Sequence, residues 1–182
     1  MRFPIIFSFL LFLFNQSACF SFDDAEEDVR NLPVKERIFI GLSAGLSFSS
    51  FETSIILSPS IGYRITNRLS SGVGGTYQYF SDRSFGRVFN THIYGWSVFS
   101  RFVLYKGFFA HGEVESLNMK SRDFENSGPT RIWEMNYFLG PGYRLRIGEK
   151  AYFNLLLLYN FNDKSQIYFQ NPIFRFNFEI GL

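Results

Sequence analysis

From residue 37 to the end of the chain, apolar and polar side chains alternate with a period of two. Successive side chains of a strand point to opposite faces, so this period predicts strands with one apolar and one polar face. The segment 172–182 is the clearest case. Phe174, Phe176, Phe178, Ile180 and Leu182 fall on one face; Ile173, Arg175, Asn177, Glu179 and Gly181 fall on the other. The same pattern predicts eight strands in all, at 37–48, 55–65, 69–80, 91–105, 108–118, 132–147, 151–161 and 172–182.

The connectors alternate in length. Those at 66–68, 106–107 and 148–150 are short and carry turn residues such as Asn67, Gly107 and Gly148. Those at 49–54, 81–90, 119–131 and 162–171 are longer and rich in Ser, Asn, Asp, Arg and Gly. Short turns at one end and long loops at the other predict an all-β fold. It is an eight-stranded antiparallel up-and-down transmembrane β-barrel with short periplasmic turns and longer extracellular loops.

Alternation alone does not say which face is outside, because a soluble eight-stranded barrel alternates too. The lysines separate the two. All five, Lys35, Lys106, Lys120, Lys150 and Lys164, lie in the predicted lead-in, turns or loops. A soluble barrel spreads lysine over its outer wall, whereas a charge facing lipid at the midplane costs roughly 2–4 kcal/mol. The apolar face is also aromatic, with Tyr and Trp concentrated near strand ends as interfacial girdles require.

Composition agrees. Aromatic residues make up 20% of the chain, more than one domain can bury on both faces of its strands. After residue 20 there is no apolar run of about 18 residues, the length a spanning helix needs. A formal net charge of +2 gives no reason to expect nucleic acid as a partner. Cys19 is the only cysteine, so no intramolecular disulfide and no thiolate zinc site is available, and nothing in the sequence asks for a cofactor or a metal. Residues 1–20 have a basic start, a short apolar run and small residues, the layout of a cleaved secretory signal peptide. Residues 21–36 read as an acidic, flexible periplasmic lead-in, and residues 37–182 as the barrel.

Ser58-Pro59-Ser60-Ile61-Gly62-Tyr63 runs into the Gly-rich, Tyr-ended segment 69–79, and Gly140-Pro141-Gly142-Tyr143 repeats the theme. With these motifs the chain resembles the small porin-family, OmpA-like outer-membrane β-barrel proteins, especially those common in Bacteroidetes. The final strand is similar to that family's assembly signal, with Leu182 in place of the usual terminal aromatic. The resemblance implies a Gram-negative outer-membrane location and insertion by the barrel assembly machinery.

The polar strand face predicts the interior chemistry. Arg64, Arg101, Glu113, Glu134, Arg144, Arg175 and Glu179 form an expected lumen charge network, because buried charges need partners. By depth along the strands, Glu134 lies level with Arg175 toward the outside, and Glu113 and Glu179 lie lower with Arg101 and Arg144. The expected role is a structural plug; the alternative is a narrow pore for ions or small solutes. An acyl-transfer enzyme of the outer membrane is a remote third reading. It would rest on His92 or His111, neither of which sits in the His-x-Ser-Asn context of deacylase barrels. The chain is therefore read as a non-enzyme. The longer loops carry Arg83, Phe85, Arg87, Arg122, Phe124 and Arg131, which suit surface contacts with a partner or with lipopolysaccharide phosphates. Expected partners are outer-membrane lipid, lipopolysaccharide and the assembly machinery, with the barrel itself a monomer.

Overall fold

The computed structural model describes residues 28–48, 52–82, 89–120, 131–165, 167–168 and 171–182. The predicted signal peptide and the loop residues Arg83, Phe85, Arg87, Arg122 and Phe124 lie outside the described residues. Eight strands follow one another: β1 Ile38–Phe48, β2 Glu52–Arg64, β3 Leu69–Asp82, β4 Phe89–Tyr105, β5 Phe108–Lys120, β6 Arg131–Arg146, β7 Ala151–Asn160 and β8 Ile173–Gly181. Each pairs antiparallel with the next, and β1 pairs with β8, so the sheet closes on itself as an up-and-down barrel.

Several strands run further toward the loop end than the apolar pattern predicts. β2 begins at Glu52, β3 ends at Asp82, β4 begins at Phe89 and β5 ends at Lys120. Polar residues end the apolar stripe there, while backbone pairing continues through partners such as Ser81↔Asn90 and Lys120↔Arg131. Lys120, expected in a loop, is therefore the last residue of β5. At the opposite end, Lys106 and Gly107 form a two-residue turn with φ of 42° and 83°. Positive φ at both positions suits the right-handed twist of a hairpin and favours glycine at the second. The lead-in, expected to be flexible, is folded where it is described. Residues Val29–Asn31 and Val34–Arg37 make two 3₁₀ turns, and the Val29 amide donates to Asn67 Oδ1 of the β2–β3 turn at 2.8 Å.

The outward face is apolar. On β8, Phe174, Phe176, Phe178 and Ile180 are between 51% and 72% exposed, far beyond what a soluble surface carries in one stripe. Trp96, Trp133, Tyr77 and Tyr94 stand toward the loop end, and Tyr63, Tyr105 and Tyr143 toward the turn end. The outward hydroxyls of Ser71 and Ser100 donate to the carbonyls of Phe99 (2.8 Å) and Ser70 (3.4 Å), so they are satisfied by the wall itself.

The interior is less polar than the sequence pattern suggests. Phe39, Phe99, Phe109, Phe138, Leu156 and Leu158 point inward and are buried. Three of these phenylalanines face a glycine directly across a strand pair: Phe39↔Gly62, Phe99↔Gly72 and Phe109↔Gly142. A Cβ on any of those glycines would run into the ring opposite it. Each glycine thus makes the space that a ring fills. The signal for this was in the sequence, as a glycine on one strand in register with an aromatic on the next.

Phe109 is 1% exposed, so Phe109→Ala is expected to cost about 3–5 kcal/mol by opening a cavity. Gly142→Ala, which pushes a methyl into the same ring, is expected to cost about 1–3 kcal/mol. Urea unfolding of the chain reconstituted in lipid vesicles measures both. Wild-type stability in either variant would rule out this packing.

Candidate functional site

Arg101, Glu113, Glu115, Arg144, Arg175 and Glu179 sit in a connected set of polar contacts that crosses the barrel. Glu179 on β8 is its lower hub, 2% exposed. Its Oε1 accepts from Arg101 Nη1 of β4, and its Oε2 accepts from Arg144 Nη2 of β6 at 2.9 Å. Arg101 Nε–H also donates to His111 Nδ1 at 3.2 Å. That fixes the imidazole proton on Nε2, which donates to Glu113 Oε2 at 3.1 Å. The same carboxylate oxygen accepts from Arg175 Nη1 at 2.9 Å. Arg175 reaches Glu115 Oε2 at 3.7 Å, and Glu115 Oε1 accepts from Thr76 Oγ1 of β3 at 3.1 Å.

A second branch leaves Arg144. Its Nε donates to Asn154 Oδ1 at 3.1 Å, Asn154 Nδ2 to Asn177 Oδ1 at 3.2 Å, and Asn177 Nδ2 to Ser43 Oγ of β1 at 3.0 Å. Guanidinium faces complete the packing. Arg175 lies 4.4 Å from the Phe138 ring centre and Arg101 4.7 Å from that of Phe99. Such contacts gain strength where water is excluded.

The structure brings Arg101, Arg144 and Glu179 into one cluster, and Glu113 and Arg175 into the next. Two expectations on pairing are corrected. Arg175 meets Glu113 and Glu115 rather than Glu134, and Glu113 meets Arg175 and His111 rather than Arg144. Barrel closure staggers the strands, so residues at equal distance from a turn do not lie at equal height. Glu134 accepts instead from Asn136 Nδ2 at 3.2 Å and Ser165 Oγ at 2.6 Å. Arg64 lies near the turn end with its guanidinium 5.8 Å from the Tyr152 ring centre. Arg37 and Arg146 bond backbone carbonyls at that end.

Tyr168 is the participant that sequence reasoning missed. It lies in the β7–β8 connector, which folds back over the loop end of the lumen. Its hydroxyl donates to Glu115 Oε2 at 2.8 Å and accepts from Arg175 Nη2 at 3.2 Å. Burial, and then the charge of Glu115, pushes this hydroxyl well above its ordinary value, so it remains a neutral donor. Ile167 and Tyr168 pack on the apolar cluster of Ile93, Leu117 and Met119. The residue's place in a loop, outside any period, left no signal for this role.

Outside the barrel wall, the His92 Nδ1 lies 2.8 Å from the Tyr77 hydroxyl. Arg131 opens β6 at the same end. Its Nη2 donates to the carbonyls of His92 and Asn118, both at 3.0 Å, and its Nε to Asn118 Oδ1.

The chain is similar to the Yersinia pestis outer membrane protein Ail, solved in a phospholipid bilayer nanodisc. Identity is 12%, with 80% of this chain and 98% of that one covered, at a TM-score of 0.47. The N-terminal β-barrel domain of Pseudomonas aeruginosa OprF is similar at 11% identity, covering 81% of this chain and 96% of that one, at a TM-score of 0.39. No family model matches the chain, and no curated protein does.

Because Glu179 serves two arginines, Glu179→Ala is expected to cost about 3–5 kcal/mol, leaving Arg101 and Arg144 without their shared carboxylate. Arg144→Ala should cost less, since Glu179 keeps Arg101. The order of the two losses in vesicle unfolding experiments is the check. Equal losses, or the reverse order, would remove Glu179 from its place as hub.

Proposed function

We propose that this chain is an integral outer-membrane β-barrel of the small OmpA-like kind, with a lumen plugged by its own side chains. Its role is then structural or interactive at the cell surface rather than catalytic. The observation that carries the reading is the pairing of two opposite environments in one wall. Outward positions are apolar and half or more exposed along β8, while inward positions hold Glu179, Glu113 and Glu115 matched to Arg101, Arg144 and Arg175. The arrangement fits a wall with hydrocarbon outside and a filled interior. Short turns at one end, as in the resemblance to Bacteroidetes-type barrels, orient that end to the periplasm and the longer connectors to the outside. The same resemblance supports delivery by the barrel assembly machinery, and the closed ring of strands supports a monomer.

The plug is supported by the layering of the lumen. Phe109, Phe138, Leu156 and Leu158 pack as one cluster beside the ion network, and Ile93, Leu117 and Met119 form a second one. Tyr168 bridges the polar and apolar parts at the loop end. Any solute passing through would have to separate Arg175 from Glu113 and Tyr168 and break the Glu179 hub.

In planar bilayers the refolded chain is expected to give no steady single-channel conductance, and Arg144→Ala to stay silent as well. Steady current that changes in the Arg144 variant would turn the interior charges into a permeation path and make the narrow pore the better reading. The outer wall has its own check. Val98 lies near the middle of β4 and faces outward, so Val98→Arg is expected to destabilise the vesicle-inserted barrel by roughly 2–4 kcal/mol. Indifference to that arginine would mean that this wall does not face lipid.

A further inference from the structure

Between the two ends of the barrel the outward strand positions are free of charge. Among the described residues, the Lys, Arg, Asp or Glu side chains at outward positions of β1–β8 are Lys120 and Arg131. These two are direct cross-strand partners at the loop end of β5 and β6. Like charges directly opposite each other on a sheet repel, and two cations side by side on an otherwise apolar wall are costly without an anion.

The wall around them does not supply that anion. The carboxylates of the adjoining strands, Glu113, Glu115 and Glu134, all point into the lumen and are engaged there. Arg131 is nevertheless held firmly. Bonds to Asn118 Oδ1, the Asn118 carbonyl and the His92 carbonyl pin the guanidinium across three strands, with its carbon 4.6 Å from the Tyr94 ring centre. These bonds use Nε and Nη2, so the two Nη1 hydrogens have no partner among the described residues. The Lys120 ammonium has none either. Directly below, Trp133 meets Tyr94 edge-on at 6.5 Å, and the row Tyr77, Tyr94, Asn118, Trp133 runs across four strands. The aromatic shelf therefore lies under a fixed guanidinium and an ammonium with no partner among the described residues.

We infer that Lys120 and Arg131 bind the phosphate of an outer-leaflet lipid, whose acyl chains lie down the apolar wall past Trp133. This rests on the membrane-barrel reading and names one lipid contact within it. A guanidinium pre-set by three bonds loses little freedom on binding and presents paired N–H groups to phosphate oxygens, while the ammonium adds a point charge. Lipid chemistry fits better than a free anion because the cations sit at the top of a surface that hydrocarbon must cover.

The test uses the full-length chain refolded in a phosphate-free detergent. Both of its tryptophans, Trp96 and Trp133, stand on this face and report binding by fluorescence. The probes are bisphosphorylated lipid A, the same lipid after dephosphorylation, and inorganic phosphate. Lipid A is expected to give a saturable change. Lys120→Gln should weaken it about tenfold, the loss of one charge-assisted contact, and Arg131→Lys should weaken it less. The dephosphorylated lipid should bind wild type and Lys120→Gln alike and weakly. Among the described residues the Lys120 side chain makes no bond, so Lys120→Gln is expected to leave the barrel intact, which an unheated gel shift verifies. Equal lipid A affinity in wild type and Lys120→Gln would overturn the inference. Tight binding of the dephosphorylated lipid would overturn it too, as would inorganic phosphate giving the full response alone. A chain that shows no folded, heat-sensitive band before any lipid is added would instead sink the membrane-barrel reading, and this contact with it.

Discussion

Eight strands closed into a ring leave an interior about as wide as the side chains that point into it. Every second residue of every strand has to be accommodated in that space, and a charge that enters it has to find a partner there. The carboxylate of Glu179 meets this constraint by serving Arg101 and Arg144 together, and Glu113 by serving Arg175 and His111. Where a phenylalanine points inward, the neighbouring strand carries glycine, as with Phe109 and Gly142. Polar matching and steric matching are thus two answers to one shortage of room. Neither set of residues can change without its partner.

The outer wall obeys the opposite requirement. Bulk is welcome there and charge is not, and the two faces are linked through a backbone that admits no slip. A register shift by one residue would carry Phe174, Phe176 and Phe178 inward and Arg175, Asn177 and Glu179 outward. The asymmetry between faces therefore fixes the pairing of each strand as firmly as the hydrogen bonds do. It also explains why the outward hydroxyls of Ser71 and Ser100 turn back onto backbone carbonyls.

Much of this was legible in the sequence because a period of two is a strong signal when one face is uniformly apolar. The number of strands, their order and the short Lys106–Gly107 turn all follow from it. The strand ends at Glu52, Asp82 and Lys120 did not, since hydrophobicity stops at the edge of the apolar belt while backbone pairing goes on beyond it. The polar residues of the interior could be named, but not all their partners. Arg175 sits opposite Leu156 in register and reaches Glu113 only through the stagger of the closed sheet. Tyr168 was invisible because a loop residue is placed by tertiary packing, on Phe138 and against Glu115, rather than by any local pattern.

The pairing of β1 with β8 joins residues at the two ends of the barrel sequence, from Phe39 with Gly181 to Ser43 with Asn177. Until that last strand arrives, β1 and β7 each present a row of bare amide and carbonyl groups, ready to pair with any other strand edge. The wall is accordingly an all-or-nothing object. An arc of seven strands is not a slightly weaker barrel but an open sheet with two sticky margins, and the Glu179 hub is missing from it as well. Completing the circle and neutralising the lumen are therefore a single event, carried out by the same nine-residue strand.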